Sequence, residues 1–244
     1  MQYIMSIMIW VAGFIITAAT FVVSWILSVL LPPSAKREKI IHAQCFWWAD
    51  ALMALNPYWK LKVSGLENIN PLKTYVIVAN HESLGDIIVM YKTHMQFKWI
   101  AKESLLKLPF IGGLLRVNNH IMLSRGSFGS IKKVYRKAAE LLRGGRSVLF
   151  FPEGTRGDED GISEFQNGAF KLAIKEKKPI LPVFIGGTRE TIPKGDWVFK
   201  SKVFGRLAVL PEVDTSGFKI GDYKRLNNLV REKLKSAERL TGGE

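Results

Sequence analysis

A histidine and an aspartate stand five residues apart in the stretch Asn80-His81-Glu82-Ser83-Leu84-Gly85-Asp86. An imidazole oriented by a carboxylate can take a proton from a hydroxyl, because its unperturbed pKa of about 6.5 leaves much of it neutral near pH 7. On one unbroken helix, five residues would turn the two side chains about 140° apart, and they could not meet. The pairing therefore requires His81 in a loop and Asp86 on the first turn of a helix. Ser83 as N-cap, with Asp86 at the third helical position, produces that arrangement. The same spacing fits a capping box with no chemical role. The stretch alone leaves both readings open.

The elements that must position the pair are legible around it. Thr74-Tyr75-Val76-Ile77-Val78-Ala79 is a β-branched run of the kind that forms a buried strand, and Ile87-Ile88-Val89-Met90-Tyr91 continues as a helix. Loops at strand C-termini carry the chemistry of open α/β sheets. A second such loop follows Ser147-Val148-Leu149-Phe150-Phe151, where Pro152-Glu153-Gly154-Thr155-Arg156-Gly157 sets an irregular backbone. Arg156 offers the planar fork that matches phosphate oxygens. A surface turn with an internal Glu153–Arg156 ion pair is the plainer account.

Further strands are expected at 75–79, 97–101, 121–123, 147–151, 180–185 and 207–210, alternating with helical patterns. Phe128, Ile131, Val134, Tyr135, Ala138, Leu141 and Leu142 mark one helix face that ends at Gly144, and Lys132, Lys133, Arg136, Lys137 and Arg143 fill the other. Tyr223, Leu226, Leu229, Val230 and Leu234 predict a last amphipathic helix. The alternation implies an α/β fold, a mainly parallel sheet flanked by helices.

The first 35 residues carry no charged side chain, and residues 3–31 are dominated by apolar ones up to Pro32-Pro33. As a helix this run is about 43 Å long, more than the about 30 Å hydrocarbon core requires. A cleaved signal peptide fits less well, because the basic n-region is missing and the apolar run is too long. Lys36, Arg37 and Lys39 follow directly, which predicts a cytoplasmic location for the remainder. Phe46, Trp47, Trp48, Tyr58 and Trp59 suit either the lipid–water interface or packing on the globular part. The expected division is an N-terminal membrane anchor with interfacial helices over 1–59 and a catalytic domain over 60–244. Whether the anchor spans the membrane or dips into one leaflet as a helical hairpin stays open here.

The chain of 244 residues has 35 Lys and Arg against 21 Asp and Glu, a net charge of +14. Such an excess suits a phospholipid surface, phosphorylated substrates or nucleic acid, and the membrane anchor argues against nucleic acid. A single cysteine, Cys45, rules out an internal disulfide and any CxxC metal site, and is expected to pack as a small apolar residue. There is no GxSxG elbow, no second histidine three residues after Glu82, and no Walker or GxGxxG loop.

The two loops and the segments between them resemble the glycerolipid acyltransferases. Residues 80–86 match the family's NHxSxxD block, and Phe151-Pro152-Glu153-Gly154-Thr155-Arg156 matches FPEGTR. Ala101-Lys102-Glu103-Ser104-Leu105 with Pro109 and Gly112, then Ile121-Met122-Leu123-Ser124-Arg125, is similar to the second block. Lys178-Pro179-Ile180-Leu181-Pro182-Val183 is similar to the fourth. Three positions depart from the pattern: Glu82 where glutamine is frequent, Ser124 where aspartate is, and Gly157-Asp158 after the arginine.

The resemblance implies acyl transfer from a thioester, on coenzyme A or acyl carrier protein, to the free hydroxyl of lysophosphatidic acid. His81 would be the base, and Asp86 would orient it. Lys102, Arg125 and Arg156 would gather the acceptor phosphate, with Glu153 binding glycerol oxygens or setting Arg156, and with Gly154 and Thr155 beside them. No metal or cofactor is implied, since the thioester is already activated. Another lyso-lipid acceptor, or a membrane lipid-binding protein without turnover, are the rival readings.

Overall fold

Val76, Ile77, Val78 and Ala79 have no polar side chain, and the strand they form (β2, Val76–Ala79) is buried on both faces. Such a strand needs neighbours on each side and a helical layer above and below. The computed structural model, which describes residues 2–124, 128–154, 161–192 and 196–241, supplies both. The other strands are β1 (Trp59–Ser64), β3 (Phe97–Lys102), β4 (Ile121–Leu123), β5 (Ser147–Phe150), β6 (Ile180–Gly186) and β7 (Val203–Val209). They form a seven-stranded sheet in the order β1-β7-β6-β2-β5-β3-β4. Every pairing is parallel except β6 with β7. The C-terminal ends of β6, β2, β5, β3 and β4 therefore share one edge, with β2 between β5 and β6.

Alternate side chains of the strands feed two cores. Val76, Val78, Val148 and Ile180 pack with α5 (Phe128–Arg143), α6 (Gly168–Glu176) and α7 (Tyr223–Thr241). Tyr75, Ile77, Leu149 and Leu181 pack with α2 (Ala35–Ala54) and α3 (Asp86–Tyr91). The expected strands match within a residue or two at most ends, and β7 begins four residues earlier than expected. Strand β1 was not expected, because Trp59 counted among the interfacial aromatics. Its alternating burial shows the period-two signal carried by Trp59, Leu61 and Val63 against Lys60, Lys62 and Ser64.

The long apolar helix α1 (Gln2–Leu30) is inside out. Its buried residues are Ser6, Ile9, Thr17 and Ser24, while Ile4, Ile7, Met8, Val11, Ile15, Val22, Val29 and Leu30 are exposed. Small polar side chains at helical spacing let the helix approach the protein and bond to it. Gln2 Nε2 donates to the Phe199 carbonyl at 3.0 Å, and the Phe199 N–H donates to Ser6 Oγ at 2.9 Å. Trp10 Nε1 donates to the Trp197 carbonyl at 2.8 Å, and Trp48 Nε1 to Thr17 Oγ1 at 3.0 Å. Farther along, the Phe21 ring lies on the bare Cα of Gly113 in α4 (Ile111–Val117), where a Cβ would meet the ring at 2.2 Å. The helix is thus held against the globular part from Gln2 to Phe21.

The basic residues after α1 are only partly available to lipid. Arg37 Nη1 donates to the carbonyls of Ser28 and Leu31 at 3.1 and 3.3 Å, closing the C-terminus of α1. Glu38 takes a two-pronged ion pair from Arg146 at 2.6 and 2.8 Å. Among the aromatics, Phe46, Trp48 and Trp59 pack on protein, while Trp47 and Tyr58 are exposed. Cys45 is buried as expected, and burial pushes its thiol up to about 11.

Beneath α2, His42, His120 and Lys98 are buried together, at 1%, 8% and 5% exposure. His42 Nε2 accepts from the Phe97 N–H at 3.5 Å and His120 Nδ1 from the Trp99 N–H at 3.3 Å, so both rings sit as neutral acceptors. Burial, helped by the Lys98 charge, drives His42 down to about 3 and His120 well below its ordinary value. Unfolding frees both to bind protons below about pH 6.5. The unfolded state then holds more protons than the native one, so stability falls on acidification by up to about 1.4 kcal/mol per pH unit for each ring. Thermal melting between pH 7 and 4 should show a steep decline that is shallower in His42→Gln. Equal slopes in the two proteins would assign the acid sensitivity to other groups.

Candidate active site

Helix α3 starts at Asp86 itself, with Gly85 as the capping residue, so Ser83 is not the N-cap and Asp86 is not at the third position. The loop still achieves what that arrangement was expected to do. Ser83 Oγ accepts from the Gly85 N–H at 3.0 Å, which tightens the turn. Asp86 Oδ2 reaches back to the N–H groups of Glu82 and Ser83 at 2.7 and 3.0 Å. The same oxygen lies 2.6 Å from His81 Nδ1. A carboxylate already accepting from two backbone groups can only accept from the ring, so Nδ1 carries the hydrogen and Nε2 keeps the lone pair.

Asp86 is 0% exposed, and four donors meet its two oxygens. The fourth comes from the loop after β6, where the Thr188 hydroxyl donates to Asp86 Oδ1. Gly187 makes this possible: its φ of +78° turns the chain, and a Cβ there would lie 2.1 Å from the Phe204 carbonyl oxygen. Thr188 Oγ1 is also 3.3 Å from Glu82 Oε2. Burial and the Asp86 charge raise Glu82, although the Arg189 N–H bond opposes them. The Thr188 hydroxyl has one hydrogen, so the contact with Asp86 takes it and the longer one with Glu82 is the weaker.

From the other side, the loop after β5 supplies Phe151 and Glu153. The Phe151 ring stacks on His81 with centroids 4.4 Å apart. Glu153 Oε1 accepts from the His81 backbone N–H at 2.7 Å, and Oε2 accepts from the N–H and hydroxyl of Ser163 at 3.1 and 2.6 Å. Both carboxylate oxygens thus have partners within the protein. Asn80 forks across to β6, bonding both the carbonyl and the N–H of Ile185 at 2.6 and 2.8 Å.

His81, Lys102 and Gly154 line one cleft of about 1890 Å³. Lys102 ends β3 and is exposed; Gly154 turns with φ +74°. The remaining walls are largely apolar and include Trp10 and Phe14 of α1 and Trp48 and Leu52 of α2. The volume exceeds the usual 300–1,000 Å³ of small-ligand sites and suits a long apolar chain. Arg125, Thr155 and Arg156 lie outside the described residues. Sequence reasoning missed Phe151, Ser163 and Thr188; for Thr188, the glycine pair at 186–187 closing an apolar strand was the available signal.

The sequence model of the Acyltransferase family matches residues 60–186. A 1-acyl-sn-glycerol-3-phosphate acyltransferase of Borreliella burgdorferi is 33% identical over 178 residues, 72% of this chain and 70% of that protein. A relative of the same description from Chlamydomonas reinhardtii is 34% identical over 79% of this chain, and a chloroplastic one from Arabidopsis thaliana 33% over 65%. The matches span 58% and 44% of those two proteins' lengths. The crystal structure of the 1-acyl-sn-glycerophosphate acyltransferase PlsC from Thermotoga maritima superposes with a TM-score of 0.87 at 27% identity, covering 100% of this chain and 99% of that one. In this chain a mainly parallel sheet carries a histidine–aspartate pair at the end of its central strand, on an apolar cleft. The chain belongs to the acyltransferase family.

Thr188→Val removes the hydroxyl and keeps the shape, leaving Asp86 one donor short in a buried site. Turnover should fall about tenfold, while Thr188→Ser stays near wild type. Steady-state kinetics on the two variants decide this, and full activity in Thr188→Val would remove Thr188 from the site's working parts.

Proposed function

We propose that this protein transfers an acyl chain from a thioester to the free hydroxyl of 1-acylglycerol 3-phosphate, forming phosphatidic acid. The observation that carries the reading is the 2.6 Å contact between His81 Nδ1 and Asp86 Oδ2, which leaves Nε2 as a base on a side chain lining an apolar cleft. The acceptor hydroxyl gives its proton to Nε2 as its oxygen attacks the thioester carbonyl. Asp86 stabilises the imidazolium that forms. Collapse of the tetrahedral intermediate breaks the carbon–sulfur bond, and the leaving thiolate takes the proton back from His81. The donor is coenzyme A or acyl carrier protein, and Lys102, Arg125 and Arg156 hold the acceptor phosphate.

The membrane enters through α1. This is one helix long and apolar enough to cross a bilayer, yet only 17% of its most apolar window is buried in the protein. An exposed apolar patch of that extent seeks lipid. Because α1 is bonded to the globular part over most of its length, it lies along the bilayer surface with its outer side in one leaflet. Lys36 and Lys39 beside it favour the cytoplasmic face. Both the acceptor and the product then reach the cleft from the leaflet.

Purified protein supplied with labelled acyl thioester and a panel of lyso-lipids in vesicles should make phosphatidic acid. His81→Ala should abolish the product with melting unchanged, and near-normal transfer in that variant would refute the proposed base. A strong preference for a different lyso-lipid would overturn the assigned acceptor. Separately, Val22→Glu with Val29→Glu, on the exposed side of α1, should weaken vesicle binding while sparing transfer to a short-chain, monomeric acceptor. Equal losses on both acceptors would count against docking through that surface.

A further inference from the structure

Glu153 is 9% exposed and holds the backbone of His81 through Oε1. What holds Glu153 lies outside the two loops that carry the matched motifs. Its other oxygen takes both donors of Ser163. Ser163 is in turn held by the last helix: Arg231 of α7 donates from Nε to the Ser163 carbonyl at 2.9 Å and from Nη2 to the Ile162 carbonyl at 3.3 Å. One turn earlier, Asn227 Nδ2 donates to the Phe165 carbonyl at 2.9 Å and to Asn167 Oδ1 at 2.8 Å. The Gln166 N–H donates to the Pro152 carbonyl at 2.8 Å, so residues 162–167 are tied on one side to α7 and on the other to the loop after β5.

A continuous run of hydrogen bonds therefore leads from α7 to His81: Arg231 to Ser163, Ser163 to Glu153, Glu153 to the His81 N–H. Its last two links end on a carboxylate, and bonds to charged groups are stronger and shorter than neutral ones. We propose that Ser163 and Arg231 are positioning residues for His81, acting through Glu153. The run fixes the backbone at residue 81, while Asp86 fixes the ring. Two supports, one from the loop after β5 and one from the start of α3, leave the imidazole little freedom to turn away from the acceptor hydroxyl. Residues 223–241 lie beyond the segment that the family model matches. Among the described residues, their hydrogen bonds toward the site run through the 162–167 segment.

The inference rests on His81 as the base, and its test is chosen to stand apart from that reading. In the full-length chain, Ser163→Ala removes one hydroxyl at an exposed position, and should lower kcat about tenfold with both KM values within about twofold. Ser163→Thr keeps the hydroxyl and should restore kcat. Arg231→Gln should reproduce the Ser163→Ala effect. Adding Ser163→Ala to Glu153→Gln should cost little more than Glu153→Gln alone, since the two act on one chain of contacts. A readout without turnover accompanies these: the His81 side-chain NMR signal, assigned by its loss in His81→Ala, should shift in Ser163→Ala and return in Ser163→Thr. An unmoved signal overturns the proposal whatever the reaction proves to be. So does a wild-type kcat in Ser163→Ala, a loss confined to acceptor KM, or failure of the threonine to restore.

Discussion

A buried carboxylate must find its stabilisation inside the protein, and most of this site follows from where Asp86 finds it. Its two oxygens take the His81 ring, two backbone N–H groups and the Thr188 hydroxyl. Isolated in an apolar interior, a charge there would cost several kcal/mol; the four donors offset that cost and fix the carboxylate in place. The donors arrive from two loops, so the sheet must bring β2 and β6 side by side. Removing any one donor is expected to act on His81, because the ring takes its orientation from the same carboxylate.

The strand order does the rest of the assembly. With β2 between β6 and β5, the loop after β2 is flanked by Thr188 on one side and by Phe151 and Glu153 on the other. Each neighbour controls a different part of His81: β6 its carboxylate partner, β5 its backbone and the flat face of its ring. Lys102 arrives from β3, one strand farther out. A parallel arrangement is what allows this, since it gathers successive strand ends on one edge.

Helix α1 changes the meaning of an anchor. A segment that only tethers would pass away from the catalytic part, and its polar residues would have no partners there. Here Ser6 and Thr17 bond to the globular part, and Trp10 and Phe14 wall the cleft. The apolar outer surface and the apolar cleft are therefore two sides of one helix. Its small residues face inward because close approach to the protein needs them there.

The sequence by itself determined the local chemistry and most of the elements. The strand at 76–79, the histidine and aspartate around it, the second loop at Pro152-Glu153-Gly154 and the amphipathic α5 and α7 follow from composition and periodicity, which act between residues close in the chain. The apolar run at 3–31 likewise set the length of α1 before any contact was known. Only the tertiary structure decided that Thr188 serves Asp86 across 102 residues and that Glu153 serves the His81 backbone across 72. It also decided that β1 pairs with β7, and that Ser6 and Thr17 mark the inner side of α1. These contacts depend on strand order and helix docking, which are fixed by burial of whole surfaces, so spacing along the chain does not say which residues they join.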